Sequence, residues 1–499
     1  MEGVHVTGRS MDFHRSSHRR AWAPGLVLLG LVWGLLGGMG CREPGSHSAN
    51  GDWKGRTLRI GTDATYPPFE SVRDGELEGF DIELGRLIAE ELGAKVQWTN
   101  TSFDGVFPAL MAGKFDLVMS AVTITPERQE RLGFSDPYYT AGQTVAVRAG
   151  DTRITGLESL RGKVAGIQLN TTAALVLKNE PDITVRQYPT IDLALQDLLN
   201  GNLDGVVGDA PTLRYFIAHG FQGLRTTGGL LTQEHYGIVS KPADTALREA
   251  VNGALRRLRE SGRFAALEEK YFGEAARNAP VQPSGVPWGR VARRLVQGLA
   301  LTLGLTALSL LAGLPLGLLV ALGRRVRLKP LAWLCAAYVE GLRGTPLLVQ
   351  IIFIYYALPQ LLGVDLAPML AAVLALTLNS AAYVAEIFRA GIASVDPGQS
   401  EAARALGMSH AQAMRHVILP QAVRNVLPPL TNEGIALLKD SSLVSIIGMA
   451  ELTRAGQELA SQLAAPLAIW PAVAVFYLLA TLPLTRLASA LERRLHRQR

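Results

Sequence analysis

The pattern of apolar and polar positions divides the chain into three regions. A short apolar run near the start, 26–39, precedes a long segment, 53–278, in which strand-length apolar runs alternate with helix-like spacing. From 291 to 495 the chain contains five apolar stretches. Each is close to the roughly 20 residues that a helix needs to cross a bilayer. The pattern predicts a targeting segment, an α/β domain and an all-α membrane domain.

The segment 53–278 shows the alternation of strand and helix twice. The strand "TLRIGTDA" leads to a helix in which Ile82, Leu84 and Ile88 lie near helical spacing, and Gly93 ends that helix. A second set runs through "GKVAGIQL", "TAALVLKNE", "IDLALQDLLNG" and "DGVVGDA". Two sets predict two lobes, each with a parallel sheet, and such sheets bind ligands at the carboxyl ends of their strands.

The charges between the apolar stretches set the orientation of the membrane domain. Basic residues follow the first stretch at 324–329 and are frequent at the C-terminal end. The loop after the second stretch contains no Lys or Arg. Positively charged loops stay in the cytoplasm, so the α/β domain lies outside. A linker rich in Pro and Gly occupies 279–290, and the predicted spans are 295–322, 345–362, 367–388, 423–448 and 463–484.

The N-terminal segment, 1–41, also predicts export. A positively charged region and an apolar run of secretory length end at Cys41, which follows Gly38, Met39 and Gly40. This arrangement predicts a lipoprotein signal, and a retained N-terminal anchor is the alternative. Both agree with the loop charges in placing the α/β domain outside.

Composition excludes several classes of protein. The 499 residues carry a net charge of +6, but only 18% are charged and 48% are hydrophobic, so the chain is not disordered. The two cysteines, Cys41 and Cys335, exclude a disulfide framework and a cysteine-based metal site. No Gly-x-x-x-x-Gly-Lys-Ser/Thr motif is present, so the chain carries no such nucleotide site. We expect no cofactor, no metal and no nucleic-acid partner.

A helix, a glycine turn and a second helix are predicted between the third and fourth spans, at 396–420. Asp396 caps the first helix and Gly407 ends it. Ser409 then opens a second helix, which we expect to stop before Pro420. The loop charges place this segment on the cytoplasmic face.

The sequence of this segment resembles a known coupling element. Glu401, Ala402 and Ala403, followed by Gly407, are similar to the EAA loop of permeases of ATP-binding-cassette importers. The resemblance covers 290–495 and is to the histidine/glutamine type of these permeases. It implies a helix that docks on a separate cytoplasmic ATPase subunit, which uses ATP and Mg. It also implies a homodimer of this chain, surrounded by membrane lipid.

Two charged residues of the fourth predicted span, Glu433 and Lys439, need an explanation. A charge at the bilayer centre costs about 2.5 to 3.5 kcal/mol on insertion scales. We therefore treat both as candidates for a polar translocation path. Packing and gating within the helix bundle are the alternative.

The α/β domain resembles the amino-acid-binding family of periplasmic solute receptors, known as family 3, over 53–278. The motifs "GTDATYPPFE", "GFDIEL", "ITPER", "FSDPYY" and "DGVVGDAP" occur in the order of that family. The resemblance implies a two-lobed type II binding fold with an amino acid between the lobes. The implied contacts are Arg128 and Thr172 for the ligand carboxylate, Asp209 for its ammonium, Ser120 and Thr123 for its backbone groups, and Tyr66 and Phe103 as aromatic walls.

Two further positions bear on the ligand's side chain. By the same resemblance, Asp63 matches a carboxylate that meets the distal cation of basic amino acids, and Gln168 stands where glutamine binders have a basic residue. An uncompensated Asp63 repels an acidic ligand and favours a cationic or neutral polar one. We expect arginine, lysine or histidine as the ligand, with glutamine as the alternative.

The sequence therefore predicts the substrate-binding and permease subunit of an ATP-binding-cassette importer in the bacterial inner membrane, and not an enzyme. An amino-acid-gated ion channel is the alternative from another class. Such channels insert their pore between the two lobes, whereas this α/β domain runs uninterrupted to Phe272. A dehydratase of the same fold is disfavoured because a permease is fused to the domain.

Overall fold

The computed structural model describes residues 53–273, 286–364 and 366–496. The predicted export segment, 1–41, and most of the predicted linker lie outside these residues. Within them, the chain forms a two-lobed α/β domain that packs against a helical domain. The long helix of the helical domain begins at Trp288, inside the segment 279–290 that the Pro and Gly content predicts as linker.

The first lobe is built on a five-stranded sheet. Its strands, in spatial order, are Lys95–Asn100, Thr57–Thr62, Leu117–Val118, Val239–Ser240 and Gly133–Phe134. It also contains the helices Phe80–Glu91, Phe103–Met111, Thr245–Glu260 and Arg263–Phe272. Leu84 and Ile88 of the first of these helices are buried in the core, as the helical spacing predicts.

The second lobe repeats this plan with another five-stranded sheet. Its strands, in spatial order, are Thr184–Tyr188, Val164–Gln168, Gly205–Asp209, Gln143–Arg148 and Leu224–Thr227. Its helices are Ala173–Lys178, Ile191–Leu199 and Ala210–His219, with a 3₁₀ turn at Glu158–Leu160. Small strands complete the domain: Thr65–Tyr66, Glu70–Arg73 and Glu76–Glu78 form one sheet, and Tyr139–Ala141 pairs with Glu234–Tyr236.

The prediction of a purely parallel sheet in each lobe is wrong for one strand per sheet. Gln143–Arg148 follows the passage of the chain into the second lobe and runs antiparallel to both of its neighbours. Val239–Ser240 follows the passage of the chain back into the first lobe, and it also runs antiparallel to both of its neighbours. The reversed strands therefore mark the two passages between the lobes, which hold the ligand cleft between them.

The helical domain contains more helices than the apolar stretches predict. In chain order they are Trp288–Gly323, Lys329–Arg343, Leu347–Ile352 continuing to Leu358–Leu362, Pro368–Ala393, Pro397–Ala405, His410–Ala413, Leu419–Asp440, Leu452–Gln462 and Pro466–His496. π-helical turns at Phe353–Ala357 and Met414–Ile418 and a 3₁₀ segment at Ser441–Ile447 connect some of them. Lys329–Arg343 is a helix that the sequence analysis did not predict.

By length and composition, three helices of the described chain are able to cross a membrane: Trp288–Gly323, Pro368–Ala393 and the segment Pro466–Ala490. A fourth span results if Lys329–Arg343 and Leu347–Leu362 are counted together, although they are bent by 108°. The predicted span 423–448 falls mainly on Leu419–Asp440, which is not among them. Its 22 residues give about 33 Å of helix, enough to cross the hydrocarbon core. That it does so stays a prediction.

The predicted coupling segment begins as expected and ends differently. The Asp396 carboxylate accepts a hydrogen bond from the Gly398 amide at 2.8 Å, and Gly407 has a φ of +82°. Ser409 forms a capping box at the start of the second helix. This helix does not stop before Pro420: it continues through a π-helical turn into Leu419–Asp440. Proline is tolerated there because it lies directly after the π-helical turn Met414–Ile418, where the regular hydrogen-bond pattern of the α-helix is already interrupted.

The helical domain contacts both lobes through the segment 446–464. The Ser461 hydroxyl donates a hydrogen bond to the backbone oxygen of Thr65, beside the first lobe, at 2.7 Å. Ala464 is buried in the apolar cluster of the second lobe that contains Phe216. The segment therefore spans from one lobe to the other, which makes its position sensitive to how the lobes are closed.

Candidate functional site

The cleft between the lobes brings all nine predicted ligand-contacting residues together. Its cavity is about 20 Å³, close to the volume that one water molecule requires. The lobes must therefore move apart to admit an amino acid. The cavity is lined by Asp63, Tyr66, Phe103, Ser120, Thr123, Arg128, Gln168, Thr172 and Asp209, together with Glu70, Ala121 and Thr171.

Arg128 connects the two lobes. Its Nη1 donates to the backbone oxygen of Thr123 and its Nη2 to that of Asn170, each at 3.0 Å. Its guanidinium lies 5.9 Å from the ring centre of Phe103 and 5.6 Å from that of Phe107, within the range of a cation–π contact. Burial lowers the pKa of Arg128, while the nearby Asp209 and Glu234 carboxylates oppose that shift. Guanidinium groups remain charged in proteins, so this cation is available for a carboxylate.

Asp209 lies at the end of a strand and at the N-cap position of Ala210–His219, but its side chain makes no capping bond. Its carboxylate instead accepts hydrogen bonds from the Gln143 amide and the Tyr236 hydroxyl. Burial, followed by the charge of Glu234, raises the pKa of Asp209 to about 6. The carboxylate therefore faces the cleft rather than the helix backbone, as an ammonium acceptor requires.

Glu234 holds two of the predicted contact residues. Its Oε2 accepts a hydrogen bond from the Thr123 hydroxyl at 2.7 Å and another from the Thr172 hydroxyl at 2.8 Å. Because Thr123 follows a first-lobe strand and Thr172 precedes a second-lobe helix, this carboxylate bridges the lobes. The sequence analysis did not name Glu234, since it lies outside the quoted motifs.

Glu70 is a second carboxylate that sequence reasoning missed. It is the last residue of "GTDATYPPFE", it is fully buried, and its Oε1 accepts a hydrogen bond from Ser120 at 2.8 Å. Within the described chain, its Oε2 has no hydrogen-bond partner. Burial and the neighbouring Asp81 carboxylate raise the pKa of Glu70 well above its usual range. A ligand cation beside Glu70 would favour the ionised form and oppose that shift.

The remaining predicted residues form the walls of the cavity. Tyr66 and Phe103 line it from the first lobe. Gln168 ends a strand of the second lobe and donates a weak hydrogen bond to the backbone oxygen of Pro189 at 3.4 Å. Burial and the nearby Asp209 raise the pKa of Tyr66 well above its usual value, so the phenol stays protonated and able to donate a hydrogen bond.

Asp63 has a positively charged partner, so the expectation that its carboxylate is uncompensated is wrong. Its Oδ1 accepts hydrogen bonds from the Thr65 hydroxyl at 3.0 Å and from Arg454 Nη2 at 3.1 Å, and its Oδ2 accepts one from the Phe103 amide at 3.0 Å. Burial raises the pKa of Asp63, and the charge of Arg454 opposes this shift. The error arose because Arg454 belongs to the helical domain, 391 residues away along the chain.

The coupling segment presents an exposed surface. Glu401, Ala402 and Gly407 are exposed, whereas Ala403 is buried against the domain. Leu406 beside them is 79% exposed, a large apolar side chain with no cover in this chain. A short helix with such a surface is suited to a partner's groove. Its role in coupling stays a prediction.

The two candidates for a translocation path differ in their surroundings. Glu433 is partly buried and accepts a hydrogen bond from the Ser380 hydroxyl, on the neighbouring helix, at 3.0 Å. Lys439 is exposed near the end of its helix. The geometry therefore gives Glu433 a packing contact between helices, and a role for either residue in the path stays a prediction.

Both domains match known families. Residues 58–274 match the bacterial extracellular solute-binding proteins of family 3. Residues 313–497 match the inner membrane component of binding-protein-dependent transport systems. The chain is an amino-acid importer subunit of the ATP-binding-cassette class. It belongs to both families because a receptor and a permease are fused in one chain.

The relatives of this importer subunit align with it over nearly their own full length. The glutamine transport system permease protein of Escherichia coli K12 is 44% identical over 202 residues, which cover 40% of this chain and 92% of that protein. The arginine transport system permease protein of Bacillus subtilis is 40% identical, with coverages of 40% and 92%. A putative arginine-binding protein of Escherichia coli K12 is 31% identical, with coverages of 43% and 90%.

A solved structure of a mutant arginine-binding protein from T. maritima is 37% identical to this chain. It covers 44% of this chain and 96% of its own, with a TM-score of 0.42. The two family matches give the importer subunit an extracytoplasmic receptor domain and a permease domain in the inner membrane. We call 53–273 the receptor domain and 286–496 the permease domain.

Proposed function

We propose that the substrate is a basic L-amino acid, and that arginine, lysine or histidine binds with its side-chain cation beside Asp63 and Glu70. In this arrangement, Arg128 holds the ligand carboxylate and Asp209 its ammonium. A planar guanidinium suits a carboxylate better than a lysine does, because two parallel hydrogen bonds form. Asp63 and Glu70 are then left for the rest of the ligand.

The excess of carboxylates in the cleft carries this proposal. The cavity is lined by the carboxylates of Asp63, Glu70 and Asp209 and by one guanidinium, that of Arg128. A zwitterionic backbone uses one group of each sign, which leaves Asp63 and Glu70. Arg454 pairs with Asp63 in the docked arrangement, so Glu70 is the lining acid that has no ion pair within the described chain. A cation on the ligand side chain supplies a charge for Glu70, whereas the amide of glutamine does not.

Glutamine is the competing substrate, and the names of the relatives support both readings. One permease relative is a glutamine transport protein and another is an arginine transport protein. Gln168 lines the cavity with an Oε1 that has no hydrogen-bond partner within the described chain. The N–H groups of an amide ligand would satisfy that oxygen, and those of a guanidinium or ammonium would do so equally, so this atom does not decide between the two substrates.

We further propose that the importer works as a homodimer of this chain with two cytoplasmic ATPase subunits. The exposed Glu401, Ala402 and Leu406 support an ATPase contact on the cytoplasmic side. Hydrolysis of ATP belongs to that partner, so this chain acts as a transport subunit and not as an enzyme. ATP-driven closure of the ATPases would switch the permease between its two facing states.

The test is equilibrium binding by the full chain in lipid nanodiscs, measured by calorimetry with arginine, lysine, histidine, glutamine and citrulline. Citrulline is the matched control ligand, since it has the length of arginine without the charge. We expect arginine to bind at least about tenfold more tightly than citrulline, the effect of one charge-assisted hydrogen bond. Asp63→Asn together with Glu70→Gln is expected to remove that preference. The proposal would be overturned if arginine, lysine and histidine all bound no more tightly than citrulline, or if glutamine bound more tightly than all three.

A further inference from the structure

Arg454 of the permease domain is buried against the ligand site of the receptor domain. Its side chain is only 1% exposed. It is the largest fully buried side chain in the described part of the chain. Its Nη2 contacts Asp63 Oδ1 at 3.1 Å, Asn100 Oδ1 at 2.5 Å and the backbone oxygen of Thr101 at 3.3 Å. A permease cation is therefore bonded to a carboxylate that lines the ligand cavity.

The permease holds this guanidinium in place. Arg454 lies in the first turn of Leu452–Gln462, where the Glu451 carboxylate caps the helix by accepting a hydrogen bond from the Arg454 amide at 2.8 Å. One turn later, Glu458 Oε1 lies 3.5 Å from Arg454 Nε. The same Glu458 also pairs with Arg294 at 2.8 Å, on the long permease helix. The guanidinium is thus presented by a rigid helix of the permease and not by a loop of the receptor.

This contact forms only when the receptor domain is docked as in the structure. Asp63 belongs to the receptor and Arg454 to the permease, so separating the two domains would break the pair. The Asp63 carboxylate would then keep Thr65 and the Phe103 amide as its partners. Docking therefore changes the charge balance at a carboxylate of the cleft, because receptor and permease share an ion pair there.

We propose that Arg454 promotes substrate release: on docking, its guanidinium neutralises Asp63 and so weakens the hold of the receptor on the cation of a bound amino acid. This inference rests on the proposed function, because it needs a ligand with a positive side chain. Two cations at one buried carboxylate repel each other, and the attraction that Asp63 offers is divided between them. A neutral ligand loses much less, so the effect is selective for charge.

The test compares arginine with citrulline on the full chain in nanodiscs, using calorimetry. Arg454→Ala should tighten arginine binding about tenfold or more, the effect of one charge-assisted hydrogen bond, and should change citrulline binding by less than about twofold. Arg290→Ala is the matched control, since Arg290 contacts Asp74 of the receptor at 3.5 Å, away from the cavity. It should leave both affinities unchanged.

A double-substitution cycle separates charge competition from a mere loosening of the docked state. In the Asp63→Asn background, Arg454→Ala should no longer change the ratio of the two dissociation constants. Arg454→Lys, which keeps the charge, should resemble the unsubstituted protein. If Arg454→Ala does not fold, Arg454→Met replaces it, since methionine keeps the length of the aliphatic stem. The expected result is the same.

The outcomes distinguish this inference from the proposed function. If arginine binds more tightly than citrulline but Arg454→Ala leaves their ratio unchanged, release by Arg454 is refuted and the basic substrate stands. If Arg454→Ala tightens both ligands equally, the residue acts on docking alone and the inference is also refuted. If neither the unsubstituted protein nor Arg454→Ala shows a preference for arginine over citrulline, both the substrate and the release residue are overturned.

Discussion

Replacing Arg128 tests the ligand site most sharply, because this residue is the cleft's only positively charged lining group in the described chain. Two of its N–H groups donate to the backbone oxygens of Thr123 and Asn170. A guanidinium has five such donors, so three remain for a ligand carboxylate. Two charge-assisted hydrogen bonds to that carboxylate contribute about 3 to 6 kcal/mol.

We therefore expect Arg128→Ala to weaken binding of the amino acid by about 10² to 10⁴-fold. Arg128→Lys keeps the charge but loses the fork, so about half of that free energy should be lost. The assay is calorimetric titration of the full chain in nanodiscs with arginine. Arg131→Ala is the control, because Arg131 is exposed three residues further along the same segment. Binding by Arg128→Ala within about threefold of the unsubstituted protein would refute the role given to this residue.

Three other predictions follow from the structure. The pKa of Asp209 is about 6, and the ligand ammonium binds its ionised form. The affinity for arginine, measured by calorimetry, should therefore fall about tenfold from pH 7 to pH 5, and Asp209→Asn should remove this pH dependence. Gly407→Val places a β-branched side chain at a φ of +82°, so ligand-stimulated ATP hydrolysis by the reconstituted complex should fall severalfold while calorimetry still shows ligand binding. At Gly220, an added Cβ would meet the backbone oxygen of Ala464, so Gly220→Val should reduce transport into vesicles and leave the affinity for ligand within about twofold. An arginine affinity that does not change with pH would contradict the first prediction. Full stimulation of ATP hydrolysis in Gly407→Val would contradict the second, and normal transport by Gly220→Val would contradict the third.

Much of the receptor domain was predictable from local pattern. Ile82, Leu84 and Ile88 are all buried, as their helical spacing requires. The motif positions that carry the resemblance meet around one cleft because strand ends in such lobes face each other. The reversed strands were not predictable, since a strand that carries the chain between lobes has the same apolar run as its neighbours.

The permease domain was predicted less well, for physical reasons. Lys329–Arg343 is only 15 residues long and has charged ends, so it does not meet a criterion of span length. Pro420 suggested a helix end, but the π-helical turn before it accommodates the proline and the helix continues. Apolar length alone therefore identifies the longer apolar stretches and misses a short helix with charged ends such as Lys329–Arg343.

The site residues that were missed share one property: their roles depend on contacts distant in sequence. Glu234 was not named because its two threonine partners lie 111 and 62 residues away. Arg454 lies 391 residues from Asp63. Glu70 also bonds a distant residue, Ser120, but its position at the end of a quoted motif was a local signal as well. A count of acidic residues within the motifs would have found it.

The central claim is that this fused receptor and permease imports a basic amino acid. The most direct test is uptake of labelled arginine into vesicles that contain the full chain and its ATPase partner, with and without ATP. The account predicts uptake that requires ATP, that excess lysine inhibits and that excess glutamine leaves unchanged. Uptake of glutamine without uptake of arginine would contradict it.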